Sequence, residues 1–246
     1  MLLGSRPALT AAVDTIIDIY LQDQRLNEVD SYKYLGVYVD RNLSWDYHMK
    51  YICQRVYPKL RMLNTISSFL SQDILLLIYK QNILPIIDYG SMTWLDCSKT
   101  VSLKIERLQN HAMRSILNTN RKTCSQKMRY KLGLLTLGNR RRFLRAVLSF
   151  KIVHNISCPD QLVDYLIRRS RMHDRNLRDE TLLHLSRVNT KTGQTTFQYS
   201  TTADRNSFPK CMGDITSLKR FKTELYGYFR DLDVESHHCS LAKFYG

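Results

Sequence analysis

The spacing of apolar and polar positions changes several times along the chain, and each change predicts an element. Thr15, Ile17, Ile19 and Leu21 alternate, Gln22-Asp23-Gln24 reads as a turn, and Leu26 and Val29 lead to a second alternating stretch from Tyr32. There Lys33, Leu35, Val37 and Val39 share one face and Tyr32, Tyr34 and Tyr38 the other, which is the period of a strand. Gly36 interrupts this stretch, as expected of a bulge or of a point where another backbone or a ligand comes close. The prediction is a small meander of roughly three strands over residues 1–43.

From Ser44, which is placed to cap a helix, the spacing becomes three or four: Met49, Ile52, Val56, Leu60 and Leu63. Pro58 is expected to kink that helix. A second helix runs from Ile74 to about Ile83, where Pro85 bends or ends it. A third begins after Thr100, turning Leu103, Leu108, Ala112 and Ile116 inward and Lys104, Arg107, His111 and Arg114 outward. Gly133 and Gly138 bracket a loop, and Asn139 opens a fourth helix through Phe143, Val147, Phe150 and Val153, stopped at Cys158-Pro159. Then come a short helix from Gln161 to Arg169 and an Arg-rich connector to Arg178. A β-hairpin is expected from about Leu182 to Ser200, around Asn189-Thr190-Lys191-Thr192-Gly193, with Phe197 and Tyr199 on its second arm. A last helix starts at Ser217 and carries Leu218, Phe221, Leu225 and Phe229, and residues 234–246 are expected to be a flexible tail. The fold class expected is α+β, mainly α-helical.

Charge changes this picture more than composition does. The 246 residues hold 37 Lys and Arg against 22 Asp and Glu, a net +15, which favours a polyanionic partner, most often nucleic acid. Most of the excess lies between Lys104 and Lys151, where Lys104, Arg107, Arg114, Arg121, Lys122, Lys127, Arg129, Lys131, Arg140, Arg141, Arg142, Arg145 and Lys151 face only Glu106. Spread over three predicted helices, these cations suit a surface that follows phosphates, although a solvated face or a nuclear-import signal has the same composition. The six cysteines, Cys53, Cys97, Cys124, Cys158, Cys211 and Cys239, include no close pair of the kind that holds zinc, so no metal is expected. The apolar start is broken by Arg6, Pro7, Asp14 and Asp18, and no run reaches membrane-spanning length. The expectation is an intracellular protein, in nucleus or cytoplasm, with reduced thiols and no membrane partner.

Several short motifs, taken in order, resemble the C-terminal part of the reverse transcriptase of non-LTR retrotransposons of the jockey-like kind. They are Tyr34-Leu35-Gly36-Val37 with Leu43-Ser44-Trp45; Leu84-Pro85-Ile86-Ile87-Asp88-Tyr89-Gly90 with Trp94; and Leu108-Gln109-Asn110-His111-Ala112-Met113-Arg114. Beyond these come Leu132-Gly133-Leu134-Leu135-Thr136-Leu137 leading to Arg140-Arg141-Arg142, then Phe197-Gln198-Tyr199 with Asn206-Ser207-Phe208-Pro209, and Ser217-Leu218-Lys219-Arg220-Phe221-Lys222. Each is weak alone; their order over about residues 1 to 230 is what makes the resemblance specific.

The resemblance implies a palm-edge remnant and primer-grip hairpin over residues 1–43, a helical thumb-like domain over 44–135, a post-thumb region over 136–233 and a tail. Intact members of that family copy RNA into DNA with paired aspartates that hold two Mg2+ ions. This sequence has no Asp-Asp dipeptide and no Tyr-x-Asp-Asp, and Met1 to Ser5 correspond to the strand after that hairpin. The chain is therefore expected to begin downstream of the active site, to have no catalytic residues, cofactor or metal of its own, and to polymerise nothing alone. Residual sequence-independent binding of a primer–template is the implied property, to an RNA–DNA hybrid, RNA or DNA. The candidate contacts are Tyr34, Leu35 and Gly36 at the primer grip, with Lys50, Arg55, Lys59, Arg61, Lys104, Arg107 and Arg114 on thumb helices. Arg121, Lys122, Arg140, Arg141, Arg142 and Arg145 complete the set, and Tyr32, Tyr34 and Tyr38 are candidates for stacking on bases. Two other readings stay open at this point: a host-retained helical domain that binds nucleic acid or protein, and a segment of an active polymerase when an upstream palm and fingers is joined to it.

Overall fold

A computed structural model describes residues 19–94, 97–169 and 182–242. The alternation at Thr15 and Ile17 and the connector from 170 to 178 lie outside the described residues. The architecture is mainly helical, with two small antiparallel hairpins near the N-terminus. It divides into two compact units, Met1–Gly90 with Cys97–Arg121, and Ser91–Asp96 with Lys122–Gly246. The chain passes between the units at 90/91, 96/97 and 121/122.

In the first unit, β1 (Tyr20–Leu21) pairs with β2 (Gln24–Arg25), and β3 (Ser31–Tyr34) with β4 (Val37–Asp40). The meander is thus two separate hairpins. Gly36 is no bulge. It is the second residue of a two-residue loop in which Leu35 (φ 46°) and Gly36 (φ 84°) both have positive φ, the turn whose twist suits a hairpin. The register pairs Lys33 with Tyr38 and Tyr34 with Val37. Cross-strand partners share a face, so Lys33 lies with Tyr38 and not with Val37, contrary to the alternation read along a single strand.

β4 feeds α1 (Asp46–Ile66) through Asp40. This carboxylate is buried and accepts from the backbone N–H of Asn42 (3.2 Å), Ser44 (2.9 Å) and Trp45 (2.8 Å) and from the Ser44 hydroxyl (3.1 Å). The predicted Ser44 cap is replaced by Trp45 in the left-handed region (φ 65°), a position that costs about 1–2 kcal/mol and that Asp40 holds in place. The helix runs through Pro58 without interruption and buries Met49, Ile52, Val56, Leu60 and Leu63 as the spacing requires.

The helix expected to end near Ile83 continues. After α2 (Gln72–Ile78), residues Tyr79–Ile83 widen into a π turn, and α3 (Leu84–Asp88) follows with Pro85 inside it. The Leu84 N–H donates to the Tyr79 carbonyl, five residues back, which makes room for a proline ring that would crowd an ordinary turn. α4 (Lys99–Leu117) is capped by Ser98, whose hydroxyl accepts from the Val101 N–H at 3.3 Å. Its buried face is Val101, Ile105, Leu108, Ala112, Met113 and Ile116, whereas Leu103, expected inside, is 57% exposed. α1 and α4 pack along each other, with Leu75, Tyr79, Ile83, Leu84 and Ile87 completing the core.

The second unit contains α5 (Ser125–Leu132), α6 (Leu137–Val153), the short α7 (Asp160–Val163) and α8 (Lys191–Gln194), α9 (Phe197–Asn206) and α10 (Leu218–Ala242). α6 starts before Asn139, because the Thr136 hydroxyl accepts from the Asn139 N–H at 3.2 Å and Gly138 lies inside the helix. α10 runs to Ala242, past the tail expected from 234, and buries Phe221, Leu225 and Phe229 against Phe150, Ala146 and Phe208.

No hairpin forms at 182–200: residues 184–189 form neither helix nor strand, and α9 occupies the second arm. The buried positions of α9 are Thr201, Thr202 and Arg205, so its inward face is polar and carries no apolar helical period. Asp204 on the same helix pairs with Arg142 (3.0 Å) and with Arg145, whose other amino group donates to the Ser200 hydroxyl at 2.7 Å. Arg141 is buried with its guanidinium 4.8 Å from the centre of the Trp94 ring. Arg141 and Arg145 are therefore buried within the second unit, whereas Arg142 pairs with Asp204 and keeps a third of its side chain exposed.

Candidate nucleic-acid interface

The first unit brings two distant motifs together. The Tyr89 hydroxyl donates to the Leu35 carbonyl at 2.6 Å, latching the β3–β4 loop to the end of α3. Both glycines of the contact are needed. A Cβ on Gly36 would stand 3.1 Å from the Tyr89 ring, and one on Gly90 (φ +61°) would stand 2.7 Å from a Val37 methyl. Sequence reasoning singled out both motifs separately; their convergence across 54 residues carries no local signal.

Beside the latch lies a cleft of about 240 Å³ lined by Gly36, His48, Tyr51, Arg55, Ile86 and Tyr89, among others. At its edge Lys33 and Arg55 both donate to the Tyr51 hydroxyl at 3.4 Å, and the Lys33 ammonium sits 4.7 Å over the Tyr51 ring. The hydrogen bond from Lys33, with the charges of Arg55 and Lys33, holds the Tyr51 phenol below the ordinary tyrosine range. With its acceptor side occupied by two cations, that hydroxyl is free to donate its proton to an incoming oxygen. Lys33, Tyr51 and His48 were not anticipated as site residues. Lys33 owes its place to the hairpin register, and Tyr51 and Arg55 are four apart on α1.

His48 supports the cleft from behind. Its Nδ1 accepts from the Tyr38 N–H at 3.3 Å, and burial pushes the imidazole below its ordinary value of 6.5. The unfolded chain therefore takes up a proton first. The stabilisation is complete above about pH 6.5 and is lost as pH falls through the folded value. The expected result is a urea midpoint that falls from about pH 7 to about pH 5 and a shallower fall in His48→Asn, with His154 contributing the same sign in the second unit. Identical pH profiles for the two proteins would remove His48 from this role.

The other expected contacts are dispersed. On α1, Lys50 and Arg61 lie three turns apart along one line of the helix, whereas Arg55 and Lys59 follow another, rotated by roughly 140°. Lys50, Arg55 and Arg61 are exposed and Lys59 is half-buried. On α4, Lys104 and Arg107 are exposed and Arg114 is half-buried, with Lys104 3.6 Å from Asp46. Arg121 is exposed in the first unit and Lys122 exposed in the second, where Arg140 is half-buried. Tyr34 and Leu35 project from the loop at 64% and 74% exposure, and Tyr32 is also exposed, whereas Tyr38 packs 5.1 Å from Tyr51.

Among the described residues no three His, Cys, Asp or Glu side chains converge to hold an ion. Asp40 and Asp233 cap helices, and Asp204 answers two arginines. Cys53, Cys97, Cys124, Cys158 and Cys211 form no disulfide, and no helix among the described residues is long and apolar enough to cross a membrane. No family model, no curated protein and no solved structure matches the chain.

Proposed function

We propose that this chain carries the primer-grip hairpin and thumb of a non-LTR retrotransposon reverse transcriptase and that it binds the sugar-phosphate backbone of a primer–template without polymerising it. The observation that carries this reading is the latch between Leu35 and Tyr89. It joins two of the motifs that resemble that family at one exposed loop, next to two cations and a cleft. A backbone turn that admits only small residues at Gly36 lets a sugar-phosphate chain approach closely, and Lys33 and Arg55 supply charge to neutralise it. Tyr32 and Tyr34 offer exposed ring faces for stacking. On this reading the polymerase chemistry of intact members of that family would need carboxylates from another segment.

Contacts of this kind are salt-steep and independent of sequence. Replacing both Lys33 and Arg55 by Ala is expected to lower the slope of log K against log salt for a duplex by up to about 1.8, at roughly 0.9 per lost phosphate contact. An unchanged slope would place nucleic acid elsewhere on the surface. Replacing Arg141 and Arg145 should instead lower stability, because both are buried.

A further inference from the structure

Among the described residues, no carboxylate pairs with His154, Arg168 or Arg205 of the second unit. Asp204, adjacent to Arg205, is already taken by Arg142 and Arg145. Arg205 keeps only 9% of its surface exposed, with its guanidinium 4.8 Å from the centre of the Phe221 ring and 5.9 Å from that of Phe150. Ring faces attract the cation but offer no acceptor to its in-plane N–H groups, and Nη1 is buried with no hydrogen-bond partner. His154, just past the end of α6, stacks on the same Phe150 at 4.2 Å, and its Nε2 is also buried without a partner. Arg168 is fixed alongside by its backbone. It forms an antiparallel bridge with Leu183, whose N–H and carbonyl are both gripped by the Asn206 side chain, at 2.9 and 3.0 Å.

The three groups act on one another. Burial, then the charge of Arg168, lowers Arg205 to about 10, and burial followed by Arg168 and Arg205 lowers His154. Convergence of like charges with unused donors costs free energy unless an anion joins them.

We propose that His154, Arg168 and Arg205 form a binding site for a single phosphate group. Three donors arriving from separate elements suit an acceptor with more than two oxygens, and their summed charge suits a dianion. The site lies wholly in the second unit, so it stands or falls separately from the primer-grip reading. Its phosphate comes either from the terminal phosphomonoester of a nucleic acid or from a small free phosphate.

The test is a titration of the full chain with inorganic phosphate at constant ionic strength, following the His154 ring resonance by NMR and assigning it by its loss in His154→Gln. A saturable shift toward the protonated imidazole is expected, because the anion offsets the two arginines. Arg168→Gln should weaken the apparent affinity about tenfold while leaving the fold intact, since Arg168 is only half-buried. A 5′-phosphorylated oligonucleotide that binds more tightly than its 5′-hydroxyl counterpart, and is displaced by phosphate, assigns the site to a nucleic-acid end. Equal binding of the two assigns it to free phosphate. No saturable shift, or the same shift in Arg168→Gln, overturns the proposal.

Discussion

Asp204→Ala is expected to destabilise the second unit by about 3–5 kcal/mol, the usual cost of leaving a buried charge without its partner. The Arg145 side chain is only 6% exposed and Asp204 is its counter-charge, while Arg142, at 33%, shares the same carboxylate. Loss of Asp204 leaves two guanidinium groups facing each other within the packing of α6 and α9. Trp94 belongs to this unit and is fully buried, so its fluorescence in a Trp45→Phe background reports the transition without a signal from the first unit. Because the penalty arises from the stranded charge, Arg145→Met in the Asp204→Ala background should recover much of it, as when both partners of a buried pair become apolar. A loss below about 1 kcal/mol with no rescue would mean that water already compensates these charges.

Gly90→Ala is the second large effect, expected to cost about 2–5 kcal/mol in the first unit. Two causes add: a left-handed φ of +61° that Ala adopts at about 1–2 kcal/mol, and a Cβ 2.7 Å from Val37, an overpacking worth about 1–3 kcal/mol. The causes can be separated. Val37→Ala in the Gly90→Ala background removes the methyl that clashes and should recover the steric part only. Since Gly90 follows the latch residue Tyr89, the β3–β4 loop should also open, read as faster amide exchange over residues 31–40. If exchange there is unchanged, the latch does not order the loop. If Val37→Ala restores nothing, the clash is relieved by some other shift.

Much of the helical core was legible because its apolar positions recur at three or four residues, as in Met49 to Leu63 and Phe221 to Phe229. What failed had physical causes. A two-residue loop continues the alternation of its strands without a visible break, so β3 and β4 read as one strand and Lys33 was set on the wrong face. α9 buries Thr201, Thr202 and Arg205, and a helix with a polar inner face leaves no apolar period to find. Pro85 reads as a helix end, yet a π turn absorbs it. The basic run marked Arg141, Arg142 and Arg145 as surface, because charge along a sequence does not reveal an aspartate some 60 residues away, in contact with two of them. The site was legible as motifs and not as a place, since the contact that assembles it joins Leu35 to Tyr89 through a backbone carbonyl.

The latched loop and the cations beside it are proposed to bind nucleic acid through its backbone. Fluorescence anisotropy of a labelled RNA–DNA primer–template, titrated with the full chain across a range of salt and compared with single strands, tests it most directly. The expected result is saturable binding that prefers the hybrid, weakens steeply with salt and loses part of that steepness when Lys33 and Arg55 are replaced. Weak binding with no preference and no salt dependence would contradict it and would direct attention to protein partners instead.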